Sequence, residues 1–192
     1  SSISFNMLFL EEIWSRNFTN LFIAPLRVSE IITSLTATAF IRTLIGIVPA
    51  VLLASPFFGV SILSIGPSLV LLLLSLYIFG MTLGLLVVSG LLRYGPAFEN
   101  VAWSSLFLLA PLGCIYYPLS ILPDWLQIIA KCLPLVYIFE EVRSILLNNV
   151  VNYTNIMSAL LLNLIYFSIS IFVFYSAFDQ ARKRGTLINV GE

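Results

Sequence analysis

The chain has 192 residues, 60% of them hydrophobic and only 9% charged, with nine basic residues matched by nine acidic ones and no histidine. A soluble domain carries about 25% charge, so this composition, with a mean hydropathy of +1.06, is that of an integral membrane protein. Zero net charge leaves no basic surplus to neutralise phosphates, which excludes nucleic acid as a partner, and the missing histidine removes the commonest metal ligand and general base.

Neither an initiator methionine nor a signal-peptide pattern opens the chain. The first ten residues are apolar but too short to span; they read as the tail of a span that begins upstream, and a truncated chain is expected. Residues 10–30 form a polar island. As a helix they place Leu10, Ile13, Trp14, Phe18, Leu21 and Phe22 on one face, and Glu11, Glu12, Ser15, Arg16, Thr19 and Asn20 on the other. Glu12 and Arg16 are an i,i+4 pair in the favourable order. Pro25 biases Ala24 out of the helical region and ends the helix, and Ser29 is placed to cap the next one, with Glu30 in its first turn. An amphipathic helix just ahead of a span either anchors at the bilayer surface or offers its polar face to a soluble partner.

The first long apolar run, residues 31–54, is enough for one span of roughly 20 residues. It holds Arg42, which in lipid must snorkel, pack against another helix, or face a wet pathway. Residues 55–67 read as a turn outside the membrane and 68–92 as a second span, where Gly80 and Gly84 form a small-xxx-small pair. A short polar loop, 93–100, leads to a third span at 101–117, interrupted by Pro111 and Gly113. Residues 118–153 are neither plain loop nor plain span. Asp124 to Leu133 is amphipathic, Pro134 breaks it, and Leu135 to Asn148 puts Tyr137, Glu140, Glu141, Ser144 and Asn148 on one face, with Arg143 in reach of Glu140 at i+3. The two pieces predict a helical hairpin dipping into the outer leaflet.

Residues 156–178 form the last span and 179–192 a tail with Arg182, Lys183 and Arg184, which the positive-inside rule places in the cytoplasm. Counting back through four spans puts Arg16, Arg27 and Arg93 on the same side and leaves Lys131 and Arg143 outside. Cys114 and Cys132 have no metal-ligand spacing and are read as buried thiols. The sequence carries no G-x-x-x-x-G-K-[ST] loop, no H-E-x-x-H and no G-x-S-x-G. Glu140 and Glu141 lack a histidine or second acid at a catalytic spacing, which favours an ion pair with Arg143 or a polar lining.

Two blocks of residues resemble the permease subunits of ABC-2 type transporters. One is Glu12 with Leu21, Pro25 and Glu30. The other is Tyr117-Pro118-x-Ser120-x-Leu122-Pro123-x-Trp125-Leu126, followed by Pro134-Leu135-x-Tyr137-x-x-Glu140-x-x-Arg143, in register over residues 117–143. The second block is the more specific, and the likeness runs along nearly the whole chain. It implies an all-α polytopic membrane protein forming a single domain over 1–192: about four complete transmembrane helices, an amphipathic cytoplasmic coupling helix and a re-entrant extracytoplasmic hairpin. By the same resemblance Glu11, Glu12, Arg16, Asn20 and Pro25 would meet a separate ABC ATPase. Arg42, Tyr117, Pro118, Pro123, Trp125, Tyr137, Glu140 and Arg143 would line the pathway or its outer gate. The chain itself would be non-catalytic, with ATP and Mg on the partner, and would work as a homodimer among membrane lipid in a bacterial or archaeal cytoplasmic membrane.

The sequence departs from the family in having Arg16-Asn17 where members often carry Gly-Thr, and in lacking the first and most of the second of the usual six spans. The implied function is export of an amphipathic, drug-like or lipid-like substrate. Alternatives are a polysaccharide or glycolipid exporter, a non-transporting membrane scaffold, and an intramembrane enzyme using Glu140 and Glu141.

Overall fold

Apolar runs without glycine or proline clusters become long helices here, and each cluster of turn residues ends one. The computed structural model describes residues 28–58, 67–95, 98–148 and 150–184. These comprise α1 (Val28–Phe58), α2 (Pro67–Tyr94), α3 (Glu99–Leu112), a 3-10 turn (Leu119–Ile121), α4 (Asp124–Ala130), α5 (Pro134–Asn148) and α6 (Tyr153–Arg184), with no strand among the described residues. Pro67 and Pro134 each stand at the first position of a helix, where the missing N–H has no intrahelical partner to lose. α1 already includes Ser29, so the expected cap lies inside the helix; Glu30 is in its first turn as expected.

The segments of α2 and α6 from Ser68 to Tyr94 and from Tyr153 to Lys183 are long and apolar enough to cross a membrane. At 1.5 Å per residue they run about 40 Å and about 46 Å, beyond a hydrocarbon core of about 30 Å. α1 contributes a shorter apolar stretch, Thr36–Pro49. α3 is different: it stops at Leu112, before the expected end of the third span at 117, and its 14 residues cover only about 21 Å. The physical reason is local. Pro111 has no N–H, and Cys114 takes a positive φ of 53° that no helix continues.

The chain divides into two compact units. The first comprises Ser1–Val48, Gly80–Ala102 and Ser168–Glu192; the second comprises Pro49–Phe79 and Trp103–Phe167. In the first, Gly80 and Gly84 are buried in a core that includes Met81, Leu85, Val88 and Phe174. α2 ends on Gly95, whose φ of +77° is the left-handed closing conformation that glycine adopts without strain. Its N–H donates to the Leu91 carbonyl at 2.9 Å. Phe98 then folds back so that its ring stacks on Tyr94 at 5.7 Å and occupies the space a side chain at Gly90 would need.

In the second unit, Leu72 of α2, Ile138 and Ile145 of α5, and Ile156 and Ala159 of α6 form one core, and Cys114, Ala130 and Val136 form another. Asn163 on α6 donates from Nδ2 to the Ser75 hydroxyl at 2.7 Å and to the Ser75 carbonyl at 2.9 Å. Elsewhere the apolar surface points outward: Met157, Leu161, Leu164 and Ile165 on α6 are all at least half exposed. Water would penalise such a stripe and lipid does not, so the apolar helices mark an integral membrane protein.

Candidate functional site

The second unit gathers most of the outer residues singled out in the sequence around one carboxylate. Past Leu112 the chain turns sharply. The Gly113 N–H still donates to the Leu109 carbonyl at 2.8 Å, and the Cys114 N–H donates to the Pro111 carbonyl at 3.2 Å. Gly113 is required there by crowding: a Cβ would sit 2.9 Å from both the Leu109 carbonyl oxygen and Leu135 Cδ1. The Tyr117 hydroxyl returns to the Pro111 carbonyl at 2.7 Å. Together these bonds satisfy carbonyls that the ending helix leaves without partners.

Pro118, extended at φ −70° and ψ 153°, sets up the 3-10 turn. The Leu119 N–H donates to Glu140 Oε1 at 2.8 Å, and Arg143 Nη1 donates to the same oxygen at 2.7 Å. Arg143 Nη2 reaches across to the Cys114 carbonyl at 3.1 Å. Glu140 and Arg143 therefore tie three backbone segments together: the exit of α3, the 3-10 turn, and α5. The i,i+3 pair is part-exposed, so its ionic attraction alone contributes little; its value lies in the backbone groups it holds.

Pro123, also extended, starts α4 by accepting from the Leu126 and Gln127 N–H groups, and Gln127 Nε2 donates to the Leu122 carbonyl at 2.8 Å. α4 ends at Ala130, shorter than the expected Asp124–Leu133 helix, because the chain tightens into i→i+3 turns before Pro134. Its apolar side faces away from the protein: Trp125, Ile128 and Ile129 are exposed. Cys132 lies on this outward side too. It is exposed, which corrects the reading of both cysteines as buried; only Cys114 is. Both thiols are free. The Cys132 carbonyl accepts from the Tyr166 hydroxyl at 3.1 Å, pinning the α4–α5 link to α6.

Glu141 was grouped with Glu140 by sequence, yet it faces elsewhere. Successive residues on a helix point about 100° apart. Its carboxylate, fully buried, accepts from the Asn152 N–H at 2.6 Å and Asn155 Nδ2 at 3.0 Å. Asn152 in turn caps α6, accepting the Thr154 N–H on its Oδ1 at 3.1 Å. A carboxylate thus sits at the start of the 32-residue α6, where the helix dipole favours negative charge. The signal for this cap was present, since asparagine stands just ahead of an apolar run.

A recess of about 450 Å³ opens beside the Glu140 cluster, lined by Leu119, Ser120, Gln127, Lys131, Val136, Tyr137, Glu140 and Asn155. Tyr137 also packs against the core formed by Leu72 and Ile138. Arg42 belongs to the other unit, on α1, where it is exposed. Glu11, Glu12, Arg16, Asn20 and Pro25 lie outside the described residues. Among the described residues no group of three metal-ligating side chains gathers.

The family model described as ABC-2 type transporter matches residues 1–147. The chain belongs to the ABC-2 type transporter family. Comparison with curated proteins and with solved structures gave no match. Membrane domains of this family are permease components of ABC transporters and usually work with an ABC ATPase, so the Glu140 cluster and its recess belong to a permease.

Proposed function

We propose that this chain is the permease subunit of an ATP-driven exporter that moves an amphipathic, drug-like or lipid-like substrate out of the cytoplasm or inner leaflet. Two copies form the pathway, and two ATPases carry ATP and Mg on their own chains. Residues 10–24 are the coupling helix, presenting Glu11, Glu12, Arg16 and Asn20, with Pro25 turning the chain into the membrane. The span count is four: α1, α2, α3 with the turn that follows it, and α6. The segment from Pro118 to Asn148 is a re-entrant hairpin at the outer mouth, gated by Tyr117, Pro118, Pro123, Trp125, Tyr137, Glu140 and Arg143, with Arg42 on the pathway. The membrane is a bacterial or archaeal cytoplasmic membrane.

The observation that carries this reading is the single family match running across both the polar island and the hairpin. The outward apolar face of α4 supports the placement of the hairpin, since such a helix is stable in lipid and not in water. The test is co-purification of the full-length chain with its ATPase, followed by vanadate-sensitive hydrolysis in liposomes. Glu12→Lys is expected to abolish most permease-stimulated hydrolysis and transport while membrane insertion is unchanged. Undiminished transport by that variant would remove the coupling-helix assignment, and a folded chain that binds no ATPase would favour the scaffold reading.

A further inference from the structure

The recess is lined by two opposite charges, Glu140 and Lys131, that do not pair with each other; Glu140 meets Arg143 through Oε1. Both contacts to Glu140 use Oε1; Oε2 has no partner among the described residues, and the side chain is 31% exposed. Lys131 is exposed at the end of α4, and its ammonium makes no hydrogen bond or ion pair among the described residues. The two groups line the same cavity without bridging it. Ser120, Gln127, Tyr137 and Asn155 add neutral polar groups to the lining. On and just ahead of α4, Ile121, Trp125 and Ile128 are each about two-thirds exposed. The volume is within the roughly 300–1,000 Å³ of small-molecule sites.

We infer that this recess binds the headgroup of a zwitterionic phospholipid of the phosphoethanolamine type, with its phosphate on Lys131, its primary ammonium on Glu140 Oε2 and its acyl chains along Trp125 and Ile128. The placement at the outer leaflet rests on the permease reading above. The charge pattern selects the headgroup. A primary ammonium has three N–H donors for a carboxylate oxygen, whereas a quaternary ammonium has none. A glycerol headgroup brings the phosphate but no cation for Glu140. Charge-assisted hydrogen bonds are the strong ones, so losing either contact should be visible in affinity.

The test is isothermal titration of the full-length chain in detergent with dihexanoyl-phosphatidylethanolamine, -phosphatidylcholine and -phosphatidylglycerol. The ethanolamine lipid is expected to bind at least about tenfold tighter than the other two. Lys131→Gln is expected to lower its affinity by about tenfold, and Lys131→Arg to retain it. Lys131 is exposed, so the variant does not disturb the core, and the lipid series tests the Glu140 contact without mutating a residue that holds the hairpin. Affinities within about twofold across the three lipids, or unchanged by Lys131→Gln, would overturn the inference. A chain that shows the preference yet assembles with no ATPase loses the permease reading alone; a complex with stimulated hydrolysis and no preference loses the recess alone.

Discussion

Two regions of the second unit deal with polar groups in opposite ways. Along the stretches of α2 and α6 in that unit the backbone satisfies itself, as any span must, and the Asn163 amide adds bonds to the Ser75 hydroxyl and carbonyl on top of an already complete ladder. Between Gly113 and Asn152 the ladder is broken repeatedly, and side chains stand in for it. Tyr117 covers the Pro111 carbonyl, Arg143 the Cys114 carbonyl, Gln127 the Leu122 carbonyl, and Ser144 the Val150 carbonyl, while Glu140 and Glu141 take the Leu119 and Asn152 N–H groups. Irregular backbone near lipid persists only where something satisfies it. Removing a side chain in the hairpin therefore strands backbone groups, and removing one between the spans does not.

The largest expected effect is at Glu141. Glu141→Ala empties a fully buried position and leaves the Asn152 N–H and the Asn155 amide without their acceptor. A loss of about 3 kcal/mol is expected, read as a lower unfolding temperature in detergent and as faster hydrogen exchange confined to residues 150–156. Glu141→Gln keeps the shape and one acceptor and should lose roughly half as much. A change within about 0.5 kcal/mol, as for an ordinary surface site, would break the comparison. Gly113→Ala comes next. The added methyl meets a backbone carbonyl that cannot move without opening the last turn of α3, and Leu135 on its other side. Overpacking of this kind costs about 2 kcal/mol, measurable by the same thermal unfolding.

Much of the second region was legible in the sequence. The Glu140–Arg143 pair follows from i,i+3 spacing, and the boundaries around Pro118, Pro123 and Pro134 follow from proline chemistry. What the sequence left hidden has physical causes. Pro111 and Gly113 marked an interruption of the third span, but the left-handed turn falls on Cys114 rather than on a glycine, so the residue that ends α3 was not marked. Cys132 was placed among apolar neighbours and read as buried. In a membrane protein, however, an apolar face can point to lipid as readily as to core, and periodicity reports polarity without saying which side the protein occupies. Glu141 needed a long-range partner, Asn155, that no local spacing announces. Residues 10–25 lie outside the described residues.

The smallest effect is expected between the spans. Asn163→Ala removes two hydrogen bonds to Ser75, yet hydrogen bonds between transmembrane helices are worth only about 0.6 kcal/mol on average. Two further terms reduce the loss. Asn163 Oδ1 is buried without a partner among the described residues, so the substitution also removes a group whose desolvation was uncompensated. The freed Ser75 hydroxyl sits in a helix, where it can donate to a carbonyl one turn back. The expected change is about 0.5 kcal/mol or less, small beside Glu141→Ala even though Asn163 is just as deeply buried. Should Asn163→Ala instead destabilise by as much as Glu141→Ala, the α2–α6 contact would be holding the fold in the same way the hairpin does, and the orphaned oxygen would have to be accepting a hydrogen bond from a second subunit or a water in the assembled transporter.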